Sequence, residues 1–337
     1  MLARSSFHLV RLASATVVAA LAGTVLLPTA ANAATPAPAA AAAAKPLTIA
    51  VGAPSHAGRA LVRGGATETF TVTVSNSTKH AVRYVPAVWG GYKGPSPIAG
   101  SDIKLAVQPL KAPRTASFTG QQDSGVLASF FPAGGHFGDG FSVPAAGSLS
   151  WKVTVGLAKS YPANDASLTL GFNSLDNDLS NKGGLVFGTS PTFKSGPFTE
   201  KFSSKYLNGG GTVSRTKQLD VALTLNNGSG AAFSSGLSTW LTAPAFGKAA
   251  QSQSLAIDLL ENGHWVTLRN QGGQWALPTL ASGFANGATH TYQLRLRVLQ
   301  YHGTAPWTNV DLTATTGLTS GNSYPFAGAD KVVTVLR

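Results

Sequence analysis

The chain has 337 residues, 25 Lys and Arg against 13 Asp and Glu, a net charge of +12 and no cysteine. The missing cysteines exclude disulfide staples, thiol catalysis and cysteine-ligated metals, and the length is enough for two domains with cores of their own. The basic excess favours an acidic partner such as an anionic cell-wall polymer, nucleic acid or a membrane surface, although no run of adjacent Lys or Arg forms a nucleic-acid motif.

The opening stretch places Arg4 and Arg11 before an apolar run from Leu12 to Leu27, then exits through Ala31-Asn32-Ala33. That layout is a secretory signal peptide over residues 1–33, cut after Ala33, which makes the mature protein secreted and extracellular. An uncleaved membrane anchor is the alternative, because the apolar run approaches the lower limit for a span. Pro28 and the small-residue exit favour cleavage. Residues 34–45 are an Ala/Pro-rich linker whose prolines deny the alanines a stable helix. No sorting sequence follows "KVVTVLR", so release into the medium is expected rather than covalent attachment to a wall.

From residue 46 onward, segments such as "ETFTVTV", "LSWKVTVGL", "ASLTLGF", "QLDVALTL", "TYQLRLRVL" and "NVDLTAT" alternate apolar and polar residues with period two. They predict half-buried strands between Gly, Asn, Ser and Pro turns, hence an all-β sandwich or barrel. Two stretches repeat the same order. "TVTVSNSTKHAVRYVPAVW" runs from an alternating strand through Asn76 to Trp89, and "ALTLNNGSGAAFSSGLSTW" runs through Asn227 to Trp240, with Trp 13 positions after Asn in each. Further on, "FSVPAAGSLSWKVTVGL" parallels "SGFANGATHTYQLRLRVL". Ordered landmarks that drift only across loops are the mark of a duplicated domain. The expected boundary is at Ser195-Gly196-Pro197, giving two antiparallel sandwiches, 46–195 and 196–337, of about seven or eight strands each. The "NST" and "NGS" sites also match a glycosylation sequon. Turn chemistry, with Asn and Gly accepting a left-handed backbone, is the simpler reading.

"LLENGHWVTLRNQGGQWALP" followed by "GATHTYQLRLRV" resembles the repeated immunoglobulin-like modules of actinobacterial secreted proteins. The resemblance covers most of residues 196–337 and, less closely, 46–195, where "QPLKAPRTASFTG" replaces the "ENGHWVTL" segment. It implies tandem immunoglobulin-like domains and carries no functional residue with it.

The aromatic residues expected in the core are Trp89, Trp240, Trp151 and Tyr292. Trp89 and Tyr92, in "WGGYKGPSP", are also the candidate sugar-stacking platform of a carbohydrate-binding protein. Trp265 and Trp275 flank "RNQGGQ" as an expected cross-strand pair across a hairpin. Asp176 and Asp178, with Ser180 and Asn181, have the close oxygen spacing of a calcium loop but lack the Gly and Glu of the helix-loop-helix template, so calcium is a weak cofactor candidate and no other is implied. No serine-hydrolase elbow or zinc-protease motif occurs. His136 and Asp139 in a glycine-rich loop are the one crowded His-carboxylate pair, and Glu261 with His264 reads as a hairpin turn. The expected function is therefore a non-catalytic extracellular binding or structural protein, directed at an anionic cell-surface polymer. A carbohydrate binder using loop aromatics and a secreted hydrolase with an unrecognised site are the alternatives.

Overall fold

The computed structural model describes residues 46–175, 192–194, 202–207, 211–244, 253–301 and 304–337. The expected signal peptide and linker, the expected boundary at Ser195-Gly196-Pro197 and the Asp176/Asp178 calcium candidate lie outside these residues. Ala43–Arg337 is one compact unit.

The regular secondary structure of its described residues is all strand apart from one 3-10 turn at Gly100–Asp102. The first set comprises β1 (Leu47–Val51), β2 (Glu68–Asn76), β3 (Val82–Tyr84), β4 (Pro86–Lys93), β5 (Ile103–Lys111), β6 (Thr115–Gln122), β7 (Gly125–Pro132), β8 (Phe141–Val143), β9 (Ser148–Leu157), β10 (Ser167–Ser174) and β11 (Thr192–Lys194). The second comprises β12 (Phe202–Tyr206), β13 (Gly211–Val213), β14 (Leu219–Asn227), β15 (Leu237–Thr242), β16 (Gln253–Glu261), β17 (His264–Thr267), β18 (Asn270–Gln271), β19 (Gln274–Ala276), β20 (Thr289–Tyr301), β21 (Trp307–Leu318) and β22 (Ala327–Leu336). These exceed the seven or eight expected per half because short edge strands and hairpins add to the main ladders.

The sheets run in the orders β1-β2-β9-β5 and β11-β10-β4-β7-β6, then β12-β14-β20-β16-β17 and β13-β22-β21-β15-β19-β18. Read side by side, β1, β2, β9 and β5 correspond to β12, β14, β20 and β16, while β10, β4 and β7 correspond to β21, β15 and β19. Register agrees as well: Val72 stands opposite Trp151, and Leu223 opposite Tyr292. The β-strand period explains the layering. In β2, Phe70, Val72 and Val74 are buried while Thr69, Thr71, Thr73 and Ser75 point outward. One apolar core draws its buried residues from Leu47 to Phe193, and a second from Val213 to Val335, with a small Phe233-Leu237-Leu318 cluster beside it.

The repeated Asn is the clearest shared device. Asn76 is buried, its amide nitrogen donates to the carbonyls of His80 (2.7 Å), Val143 (3.1 Å) and Pro144 (3.0 Å), and its oxygen accepts from Thr78 N and Oγ1. Asn227 does the same with Ala231 O (3.0 Å), Phe284 O (2.8 Å) and Ser229 N and Oγ. Neither Asn has a positive φ. Its side chain rather than a left-handed backbone organises the turn, and a fully engaged, buried amide is no acceptor for a glycan in the folded chain.

Side-chain hydrogen bonds link the two sets of sheets. Asn322, in the turn between β21 and β22, donates to Ile98 O (2.8 Å) and Asp123 O (2.9 Å) and accepts from Gln121 Nε2 (2.9 Å). Asn164 Nδ2 reaches Ser229 Oγ at 3.4 Å. Among the described residues no helix is long and apolar enough to cross a membrane.

Candidate functional site

Trp89 and Trp240, two of the aromatic residues expected in the core, are not there. Val88 and Gly90 are buried, so Trp89 between them faces outward and is half-buried. Trp240 has the same relation to Thr239 and Leu241. Trp89 stands opposite Gly171, and with the Asn173 amide turned to satisfy both its ends, Asn173 accepts from Trp89 Nε1 at 3.0 Å. The Trp240 ring lies against Gly317, where an added Cβ would come within 3.3 Å of it. The positions are equivalent, but each ring lies on the outer face, where a glycine or small polar neighbour leaves room for it.

Trp151 and Tyr292 are buried in the core as expected. Trp151 packs its ring 5.0 Å from both Phe130 and Phe141 and donates Nε1–H to Thr115 Oγ1 at 3.0 Å. Trp275 is also buried, opposite Leu241.

The sugar platform at Trp89 and Tyr92 does not form, because residues three apart on a strand point to opposite faces. Tyr92 packs against the apolar core, close to Asp165 and Tyr324 at the junction between the two sets of sheets. Burial, helped by Asp165, pushes its phenol up, and burial likewise pushes the Asp165 carboxyl up to about 8. Trp265 and Trp275 do not pair either. Trp265 sits opposite Leu260 in one sheet, whereas Trp275 sits opposite Leu241 and Asn270 in the other. Trp265 is covered instead by the Arg295 guanidinium, 3.9 Å from its ring centre.

Two clusters bear on the hydrolase alternative. Asp139 Oδ2 accepts from the backbone N–H of His136 at 2.6 Å while the imidazole stands 3.9 Å away and almost wholly exposed, an arrangement that closes a turn. A second cluster escaped sequence reading. Buried Glu68 accepts from Ser55 Oγ (2.7 Å) and His56 N (2.9 Å), with His56 Nδ1 at 3.2 Å and Arg59 at 3.8 Å. Its serine, histidine and carboxylate imitate a triad, but Ser55 Oγ and Glu68 both lie on Nδ1. A triad needs the serine on the nitrogen opposite the carboxylate. Hydrogen bonds from Ser55 and His56 outweigh burial and hold the Glu68 carboxyl below its usual range. Glu261 and His264 close a two-residue hairpin in which Asn262 (φ 51°) and Gly263 (φ 82°) are both left-handed. Among the described residues no group of three or more His, Asp or Glu is placed to hold a metal ion.

The surface that stands out is the outer face of β1-β2-β9-β5. Lys104 on β5 and Lys152 on β9 are exposed there, with Lys111 at the bulged end of β5 opposite Ser150. Around them lie Thr69, Thr71, Thr73 and Ser75 of β2 and Ser150 and Thr154 of β9. Lys152 has Thr71 on one side and Gln108 on the other. No carboxylate points from these four strands toward solvent. Glu68, the one acid in them, faces inward and is 1% exposed. The sequence hides this cluster because its lysines are scattered, and only cross-strand register gathers them.

No protein family and no curated protein matches the chain. Among solved structures it is similar to AvmM, which catalyses macrocyclization in alchivemycin A biosynthesis, at 15% identity over 47% of this chain and 93% of that one, with a TM-score of 0.32. It is also similar to the C-terminal domain of the Streptococcus agalactiae AgI/II polypeptide BspA (9% identity, 87% and 100% coverage, TM-score 0.26). A third is CfaE, the adhesive subunit of CFA/I fimbria of enterotoxigenic Escherichia coli (11% identity, 86% of each chain, TM-score 0.25). The sandwich architecture rests on the strand order and burial described above.

Proposed function

We propose that the protein is a secreted, non-catalytic binding protein of two tandem immunoglobulin-like sandwiches, 46–195 and 196–337, the first of which holds an anionic cell-surface polymer. The observation that carries this reading is the carboxylate-free face bearing Lys104, Lys111 and Lys152 among threonine and serine hydroxyls. Ammonium groups supply charge, and the hydroxyls donate to phosphate or carboxylate oxygens. The face has no aromatic side chain on which a nucleobase would stack, so it suits a polyanion of sugars or phosphates better than a single-stranded nucleic acid.

Pull-down on purified cell walls tests the reading, with wild type and the triple variant K104Q/K111Q/K152Q at low and high salt. Basic side chains near an anionic surface contribute about 1 kcal/mol each, so the triple variant should bind roughly a hundredfold more weakly at low salt. Wild-type binding should fall steeply as salt rises, through screening and counterion release. Equal binding by the two proteins, or binding indifferent to salt, overturns the reading.

A further inference from the structure

The second set of sheets departs from the first at one end of its sandwich, and the departure leaves a cavity. Register equates His290 with Leu149, since Leu225 faces the former and Val74 the latter, and equates Tyr292 with Trp151. Leu149 and Trp151 fill that end of the first sandwich. The second has a half-buried imidazole and a smaller phenol in their place. It also keeps its chain in the same sheet beyond β16, turning through Asn262-Gly263 into β17, where the first half ends β5 at Lys111 and crosses to the other sheet as β6.

The resulting cavity is about 430 Å³, within the range of roughly 300 to 1,000 Å³ typical of small-molecule sites. Leu259, Leu260 and Pro278 give it apolar wall, while Glu261, Asn262 and Thr291 give it polar rim. Its floor is held in place: Tyr292 Oη donates to Pro278 O at 2.7 Å, and the His290 ring meets the Tyr292 ring edge-on at 4.4 Å. Burial lowers the His290 pKa, so at neutral pH the imidazole is uncharged, with one nitrogen donating and the other accepting.

We infer that this cavity binds one ring of an uncharged sugar. A sugar ring offers a C–H face to the leucine, proline and aromatic surfaces and a rim of hydroxyls to groups that both accept and donate. The Glu261 carboxylate accepts from two hydroxyls, Asn262 does both, and neutral His290 does both. Glu261 repels uronic acids and phosphates, so this site takes a neutral ligand where the lysine face takes an anionic one, and the two proposals stand independently.

Binding of methyl glycosides of glucose, galactose, mannose and N-acetylglucosamine to the full chain, followed by saturation-transfer NMR and calorimetry, tests the inference, with methyl glucuronide as the acidic control. At least one neutral glycoside should bind saturably, with an affinity unchanged by salt and several-fold above that of the glucuronide. His290→Leu, which installs the residue of the first half and removes the imidazole's donor and acceptor at nearly the same volume, should weaken that binding at least tenfold without lowering the melting temperature. Glu261→Gln, on an exposed turn, serves as a second variant should the first perturb the fold, and should also weaken it. Both variants should keep wild-type affinity for cell walls at low salt. The inference is overturned if none of the four neutral glycosides binds, or if the binding survives undiminished in both variants.

Discussion

The corresponding outer faces of the two sets of sheets differ row by row. Across β2, β9 and β5 the chain places Thr69, Thr154 and Ala106 in one cross-strand row. The same row across β14, β20 and β16 holds Asp220, Arg295 and Asp258. Arg295 pairs with Asp220 at 2.8 Å, and Arg297 pairs with Asp258 at 2.6 Å, so the second face pairs both of these arginines with carboxylates. The first leaves its lysines among hydroxyls. Inward positions of both halves carry Val, Leu and aromatic residues because packing demands it, whereas outward positions are constrained only by solubility and partners. What distinguishes the halves in function is therefore to be sought on the outer faces and at the sandwich ends.

The largest effect that would test this division is in the core. Trp151→Ala removes a fully buried ring packed among Tyr84, Phe130 and Phe141, and should cost about 3–5 kcal/mol in urea unfolding. Trp240→Ala, on the outer face, should cost about 1–2 kcal/mol, in keeping with partial burial. Equal costs would mean that Trp240 is a core residue after all and that inward and outward positions are not separated as described.

The shared turn comes next. Asn76→Ala removes the donor to three carbonyls and Asn227→Ala the donor to two, all buried or half-buried, and each should cost about 2–3 kcal/mol. Near-equal values, measured by thermal and urea melts, sharpen the equivalence of the halves; a neutral effect at either site breaks it. The sequence announced this device, because Asn followed two residues later by Thr or Ser recurs with Trp at the same distance. It did not announce the mechanism, since carbonyls at Val143 and Phe284 are remote along the chain. Strand periodicity likewise made the sheets legible, and failed where it was masked. In "YVPAVWGGYK" the residues Val85 to Val88 are all buried, so parity cannot be read and Trp89 passes for a core residue. Nothing in "VTLRNQGGQW" marks that the chain changes sheets between Trp265 and Trp275. Glu68 opens an apolar strand and meets partners 12 and 13 residues earlier, a loop closure that no local pattern signals. The lysine face was invisible for the related reason that charges on neighbouring strands, β5 and β9, are tens of residues apart in sequence.

The smallest effect concerns acid. Asp258 is buried and accepts from Arg297 Nε (2.6 Å), Arg297 Nη2 (2.7 Å) and Thr267 Oγ1 (2.7 Å). The Arg297 hydrogen bond, foremost, holds its carboxyl below the usual range against the opposing push of burial. A carboxyl whose pKa is depressed by folding adds stability that is complete above its unfolded value of about 4 and is lost as pH falls through the folded value. Asp258→Asn should therefore cost about 1–2 kcal/mol at pH 7, and the gap to wild type should close as pH falls below about 4. Lys152→Gln, on the matching face of the first sandwich, pairs with no carboxylate and should leave the acid limb of the stability curve where it is in wild type. Melting curves from pH 2 to 7 for the three proteins separate the cases. A gap for Asp258→Asn that stays constant with pH would show that the ion pair contributes nothing to acid stability, and an acid-limb shift in Lys152→Gln would place a carboxylate on the face described as free of them.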